Sequence, residues 1–326
     1  MNKNNNSDFS MFSKWTIRKI SFIGILIAIS VVFLIIGATF MPLITIPSYK
    51  ISFIGLPIKI SGFIFGPLIG GLVGLISDIL SFMFLPTYFN PLFTLAAVVD
   101  GVVAGLIGWL FLKLLKYYFG GDFQNNIFEV NIFDYLIKLD ILKKQNKNND
   151  KKIKKIENKI IFLNEKKKKI KVFGSINTLL NINLIVGLSI LSLFVLFIVF
   201  LIGFKIDQSI INGGIIKNRF VLLGLMISGY GAMMIFLSIM RFKMSAKHYL
   251  VIVPIVVFSA LIELINVPLL SLGDSQSFTN DSKNIFVFIF QHTFFSPLKI
   301  WFNMFIIFFT YNIISPLINK NNDICY

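Results

Sequence analysis

Long apolar blocks alternate with shorter polar or basic stretches along the chain. The blocks cover residues 20–40, 51–85, 91–116, 177–204, 219–240, 249–272 and 285–317. A helix needs roughly 18 or more consecutive apolar residues to cross the hydrocarbon core of a bilayer, and each block reaches that length. The pattern therefore predicts an all-α polytopic membrane protein.

The second block, residues 51–85, is either one long helix or two short ones. Pro67 lacks a backbone N–H, and a proline disfavours helix at the residue before it, here Gly66. A break at this point gives helices of about 52–65 and 67–85. With two helices, the lysine-rich residues 120–171 lie in the cytoplasm, and with one they lie outside. Lysine and arginine favour the cytoplasmic side, so we expect two helices.

This choice predicts about eight membrane segments with both termini in the cytoplasm. The first block follows Lys14, Arg18 and Lys19 and is too long for a signal peptide, so we interpret it as a retained first membrane helix. Residues 205–218 and the polar stretch 273–282 are then expected to be external loops.

Small residues recur every fourth position on two successive predicted helices. They are Gly66, Gly70 and Gly74 on one, and Ala97, Gly101 and Gly105 on the other. Helices in lipid associate through close packing, which small residues permit. We expect these two faces to bring backbones together, as packing seams do in many membrane bundles.

Composition supports the membrane interpretation and excludes several other classes. Of the 326 residues, 56% are hydrophobic, and the mean hydropathy is +0.81. The net charge of +16 is concentrated between apolar blocks, which favours contact with a membrane surface over nucleic acid. One cysteine, Cys325, and two distant histidines exclude a disulfide framework and a local metal motif.

The lysine-rich residues 120–171 have an internal pattern. Ile153, Ile156, Ile160 and Leu163 follow a three-four spacing with lysines between them. This predicts a basic amphipathic helix or a very short coiled coil. Its role remains open between a solvated helix, a helix bound to the anionic inner leaflet, and a docking site for another protein.

Ionisable residues within apolar blocks are costly and are therefore candidates for function. They are Lys59, Asp78, Asp100 and Glu263. Asp78 follows Gly74 by four residues, so it faces the bundle, either in a hydrogen bond between helices or in a functional role. Lys59 is expected to pair with one of the acids or to extend to the membrane interface.

Residues 86–94, PTYFNPLFT, form a candidate ligand platform. Tyr88, Phe89 and Phe93 offer flat faces to a flat ring, while Asn90 and Thr94 offer hydrogen bonds and Pro86 restrains the loop. The alternative is an aromatic belt at the membrane interface, where tyrosine is common.

The order of these features resembles the substrate-binding membrane subunit, or S component, of energy-coupling-factor (ECF) vitamin transporters, in particular the folate family. The features follow in the order Phe65-Gly66-Pro67, the glycine face, Ser77-Asp78, residues 85–91 and Phe93-Thr94-Leu95. The resemblance implies a six-helix bundle into which a lysine-rich segment and a membrane hairpin are inserted. The implied parts are residues 1–116 (four membrane segments), 117–175 (basic cytoplasmic insertion), 176–245 (inserted hairpin) and 246–326 (last two helices).

The resemblance also implies partners and further site residues. Gly24 and Ala28 match small residues that face a transmembrane coupling subunit, which two ATPase subunits drive, and Asn266 matches a polar ligand-contact position. The implied ligand is a vitamin, with folate first and riboflavin or a deazapurine as alternatives. Near Pro297, Gln291 and His292 stand where the family has basic residues, which leaves the ligand open.

No enzyme is indicated, and no cofactor is implied. The sequence has no metalloprotease motif, no nucleophile elbow and no phosphate-binding loop, so this chain does not hydrolyse ATP itself. A membrane-integral enzyme or scaffold that recruits a partner through residues 120–171 is the alternative from another class.

Overall fold

The computed structural model describes residues 17–40, 55–84, 90–144, 150–173, 176–212, 216–278 and 285–319. Across these ranges the chain forms helices and no strand. The helices are α1 (Ile17–Phe40), α2 (Leu56–Phe65), α3 (Pro67–Phe84), α4 (Pro91–Trp109), α5 (Asp122–Lys144), α6 (Asp150–Phe173), α7 (Ile176–Phe200), α8 (Gln208–Asn212), α9 (Arg219–Lys243), α10 (Ala246–Phe278) and α11 (Ile285–Asn319). A π-helical turn, Leu110–Leu115, and helical residues Lys116–Phe119 extend α4, and a second π-helical turn, Leu201–Lys205, extends α7.

Within the described residues, six helices are long and apolar enough to cross a membrane: α3, α4, α7, α9, α10 and α11. Two shorter apolar stretches, Lys19–Phe33 in α1 and Leu56–Phe65, accompany them. The prediction of an all-α polytopic membrane protein is confirmed.

The chain reverses direction at Gly66. Its φ of 104° lies in the left-handed region that glycine adopts without steric cost. Pro67 begins α3, where its missing N–H removes no helical hydrogen bond. A Cβ on Gly70 would lie 2.5 Å from the Cα of Gly62, so α2 and α3 pack backbone to backbone. Residues 56–84 therefore form two helices, as Pro67 led us to expect.

The hairpin of α7 and α9, predicted to be an insertion, packs against the rest of the bundle. The Tyr230 hydroxyl of α9 donates to the Ala260 carbonyl of α10 at 3.3 Å, and the Tyr249 hydroxyl donates to the Leu237 carbonyl at 3.2 Å. Gly187 of α7 lies against Val253 of α10. As a result α10 is the central helix of the described chain, and 78% of its most apolar 18-residue stretch is buried.

Helices α5 and α6 pair as a short antiparallel coiled coil. Glu157 lies 3.2 Å from Lys143, and Lys167 donates to Glu129, so the two pairs join opposite ends of the hairpin. Lys159 lies over the ring of Tyr135. The half-buried Ile153, Ile156, Ile160 and Leu163 recur on one face of α6. Of the two structures expected for this segment, the coiled coil is the one that forms.

One expectation is wrong: the start of the polar stretch 273–282 is not a loop. Helix α10 continues to Phe278, and Asp274 and Ser275 are buried. Polar side chains tolerate this burial where they find hydrogen-bond partners inside the protein. Here Ser271 donates to the Val267 carbonyl at 2.6 Å, and Asp274 bonds to His292.

Candidate functional site

The glycine faces of α3 and α4 meet along one antiparallel seam. A Cβ on Gly70 would collide with the backbone of Gly101, and one on Gly74 would collide with Ala97. Gly105 lies against Gly66 and Pro67 in the same way. The close approach fixes α3 against α4 and sets the position of every polar residue on these two helices.

The seam continues beyond the glycines with a polar pair. The Thr94 hydroxyl donates to Asp78 Oδ2 at 2.5 Å. Of the two roles considered for Asp78, the structure places it in the hydrogen bond between helices. Thr94, expected at the ligand platform, is engaged in the same bond.

A buried charged cluster joins three helices next to the seam. Lys59 Nζ of α2 lies 3.4 Å from Asp100 Oδ2 of α4, and Asn266 Nδ2 of α10 donates to Asp100 Oδ1 at 2.7 Å. The three side chains are between 2% and 5% exposed. Lys59 therefore pairs with an acid and does not extend to the interface. The Asn266 amide nitrogen donates to this cluster, whereas its amide oxygen, Oδ1, has no hydrogen-bond partner among the described residues.

Two further polar pairs connect α10 with α11. Lys299 Nζ lies 3.9 Å from Glu263 Oε1, and His292 Nε2 lies 2.9 Å from Asp274 Oδ2. Charged groups inside an apolar bundle are costly unless their partners are held in place.

Asp274 and Lys299 were not singled out from the sequence, and His292 was named only because it stands where the family has a basic residue. A signal was present on α11, where polar residues recur at helical spacing as His292, Ser296, Lys299 and Asn303, all buried. The matching polar residues on α10, Glu263, Asn266 and Asp274, could not be recognised as one helical face, because residues 273–282 are expected from the sequence to form a loop. The facing stripes give this part of the bundle a polar interior.

The described part of the predicted platform is fastened to α10. Asn90 accepts from the Leu92 N–H at 2.9 Å, which caps α4, and its Nδ2 donates to the Gly273 carbonyl at 3.0 Å. The Phe93 ring covers Gly273, since a Cβ there would lie 2.7 Å from Phe93 Cε1. Pro86, Tyr88 and Phe89 lie outside the described residues. Asn90 and Phe93 thus contact α10 at Gly273, the residue before Asp274.

The predicted coupling residues lie on an uncovered face of α1. Gly24 and Ala28 are exposed, and no atom lies within 4 Å of a Cβ built on Gly24. Leu26, Ser30 and Val31 form the opposite, buried face. In the described part of the chain, no group of three or more His, Cys, Asp and Glu side chains could hold a metal ion.

Comparison with known proteins agrees with the resemblance. Residues 14–136 match the family model of the ECF-type riboflavin transporter, S component. The chain is 45% identical over 62 residues to the folate transporter FolT of Clostridium novyi (strain NT). That alignment covers 18% of this chain and 36% of the relative, so the match spans about a third of the relative's length. No solved structure matches the chain significantly. Residues 14–136 are therefore similar to an S component.

Proposed function

We propose that the chain as a whole acts as an S component, which residues 14–136 resemble: it captures a vitamin at the outer face and delivers it through an ATP-driven coupling module. The observation that carries this proposal is the family match, which covers α1 to α4 and therefore the glycine seam, Lys59 and Asp100. The inserted hairpin supports it, because it packs on α10 and leaves α1 uncovered.

Folate is our first choice of ligand. A relative named as a folate transporter is 45% identical over the aligned part, and the order of motifs around residues 65–95 resembles the folate family. Riboflavin is the alternative, because the matching family model is described as that of a riboflavin transporter. Both ligands have a flat heteroaromatic ring that suits an aromatic platform.

The ligand site in this proposal lies between residues 86–94 and the part of α10 near Gly273. Tyr88, Phe89 and Phe93 would stack on the ring, and Asn90 and Asn266 would orient it. Asn266 Oδ1 supports this role, since it is buried without a hydrogen-bond partner in the described chain.

Energy comes from partner subunits in this proposal. We assign the exposed face around Gly24 and Ala28 to the transmembrane coupling subunit, which two ATPase subunits drive. Small residues on an uncovered membrane helix allow another helix to approach closely.

The experiment is ATP-dependent uptake of folate and riboflavin into vesicles that contain the chain and a complete coupling module. We expect uptake of one vitamin, and we expect Gly24→Leu and Ala28→Leu to abolish both uptake and co-purification of the coupling subunit while ligand binding persists. Gly224→Leu is the matched control, since Gly224 also has no atom within 4 Å of a built Cβ and lies on α9. Uptake that is unchanged in both α1 variants would contradict the assigned interface, and absence of any ATP-dependent uptake would contradict the transporter.

A scaffold role has one specific observation in its favour. The α5–α6 coiled coil exposes large apolar side chains on α5, including Val130 and Phe133, which are 61% and 63% exposed. Recovery of a stable complex through residues 120–171 with a protein other than the coupling module would favour this role.

A further inference from the structure

The outer end of α10 contains a buried carboxylate that no described residue fully satisfies. Asp274 is 1% exposed, and its Oδ2 bonds to His292 Nε2 at 2.9 Å. Its Oδ1 is buried and has no hydrogen-bond partner among the described residues. Buried polar atoms in native proteins are almost always paired, so an atom of this kind indicates a partner that the described residues do not supply.

Asp274 lies where the proposed ligand platform meets the bundle. Its chain neighbour Gly273 accepts a hydrogen bond from Asn90 and is covered by the ring of Phe93. The helix and the platform are therefore in direct contact at this point. Asp274 is the residue next to this contact, so the described part of the platform, Asn90 and Phe93, and the carboxylate belong to the same end of α10.

Two of the buried atoms on α10 that have no partner among the described residues, Asp274 Oδ1 and Asn266 Oδ1, can only accept hydrogen bonds. The hydroxyls of Ser259 and Thr293, also without a described partner, can donate or accept. The unused groups with a fixed role in the described part of α10 are thus acceptors. A matching ligand supplies N–H donors, because a carbonyl oxygen facing a carboxylate would be repelled.

We propose that Asp274, held in place by His292, selects a heterocycle that presents adjacent N–H donors, as the amino-pyrimidinone edge of a pterin does. The inference rests on the proposed function and deepens it. Each carboxylate oxygen has two lone pairs that accept hydrogen bonds. Asp274 can therefore accept one hydrogen bond from an amino group and one from the neighbouring ring N–H while it keeps its bond to His292. A flavin or lumazine edge offers one ring N–H between two carbonyl oxygens and is disfavoured.

The experiment is calorimetric titration of the purified full chain with pterin and lumazine. These compounds share one ring system and differ in that an amino group of pterin is a carbonyl oxygen in lumazine. We expect pterin to bind tighter by about tenfold to a hundredfold, the size of a hydrogen bond to a charged group. Lumazine binding as tightly as pterin, or no binding of either compound, overturns the inference.

A substitution tests the residue. Asp274→Asn replaces one acceptor oxygen with a donor and is expected to weaken pterin binding by about tenfold or more and to remove the preference over lumazine. The matched control is Asp207→Asn, an exposed acid in the turn between α7 and α9, which is expected to change neither affinity. If pterin preference persists in Asp274→Asn, the role assigned to Asp274 is wrong.

The titrations of the unsubstituted chain with pterin and lumazine test the inference even if the Asp274→Asn variant fails to fold. Their result can also contradict the inference while the proposed function stands. A chain that binds lumazine and riboflavin more tightly than pterin, and that still supports ATP-dependent uptake, is an S component in which the inference about Asp274 fails.

Discussion

Lys59 and Asp100 lie on neighbouring helices with their charged groups 3.4 Å apart, and both are almost completely buried. The pairing determines which substitutions each of the two residues tolerates. Removing one partner leaves the other charge buried and alone, which costs about 3–5 kcal/mol, whereas removing both is often nearly neutral. Asn266 adds a hydrogen bond to the same carboxylate, so the three residues act as one unit.

We predict that Lys59→Met lowers the thermal stability of the purified chain strongly, and that the double variant Lys59→Met/Asp100→Asn recovers much of the loss. The measurement is the midpoint of heat-induced unfolding in detergent. Lys217→Met serves as the control, because Lys217 is exposed. A double variant that is as unstable as the sum of its two single variants would show that the pair is not coupled.

Close backbone contact is the main feature at the scale of the elements. Helices in lipid gain little from hydrophobic exclusion, so the fit of α3 against α4 depends on the absence of side chains at Gly70, Gly74 and Gly101. A methyl group at such a position has no space, and overpacking of this kind costs about 1–3 kcal/mol. The seam also aligns Asp78 with Thr94.

For this reason Gly70→Ala is expected to destabilise the bundle, although alanine is the better helix former. Gly224→Ala offers a direct comparison, because no atom lies within 4 Å of a Cβ at Gly224. Fluorescence-detected size exclusion after heating would show an earlier loss of the monodisperse peak for Gly70→Ala alone. Equal stability of the two variants would mean that α3 can shift away from α4 at little cost.

The described part of the molecule is arranged around α10, which packs against α4, α11 and the hairpin of α7 and α9. The hairpin lies on the side of α10 and the α5–α6 coiled coil at the end of α4, and both leave the exposed face of α1 free. The ends of the coiled coil lie within three residues of the helical extension of α4 and of α7. The side of the membrane on which the coiled coil lies therefore fixes the orientation of the entire bundle.

The orientation with α5 and α6 in the cytoplasm is tested with trypsin added to sealed right-side-out membrane vesicles. We expect the lysines of α6 to resist cleavage until the vesicles are opened, whereas Lys205 and Lys217, exposed in the turn between α7 and α9, are accessible from outside. Cleavage within residues 150–173 of intact vesicles would reverse the orientation.

Fold class, the helix break at Gly66, the glycine faces and the helical lysine-rich segment could be predicted from the sequence, because each depends on local properties. Apolar length specifies a membrane helix, proline lacks a donor, and small residues at every fourth position share one helical face. The buried acids Asp78 and Asp100 could be recognised for the same reason, since a charge inside an apolar run is visible without a fold.

The partners of those charges were decided only by the tertiary structure. Lys59 and Asp100 are 41 positions apart, and Asp100 and Asn266 are 166 apart. Their contact depends on the reversal at Gly66 and on how α10 packs. The burial of Asp274 likewise could not be predicted from the sequence, because a Gly-Asp-Ser stretch is typical of a loop. In the structure this stretch is helical, Phe93 covers Gly273, and His292 bonds to the Asp274 carboxylate. Local chemistry determined the elements, and contacts between distant elements determined the site.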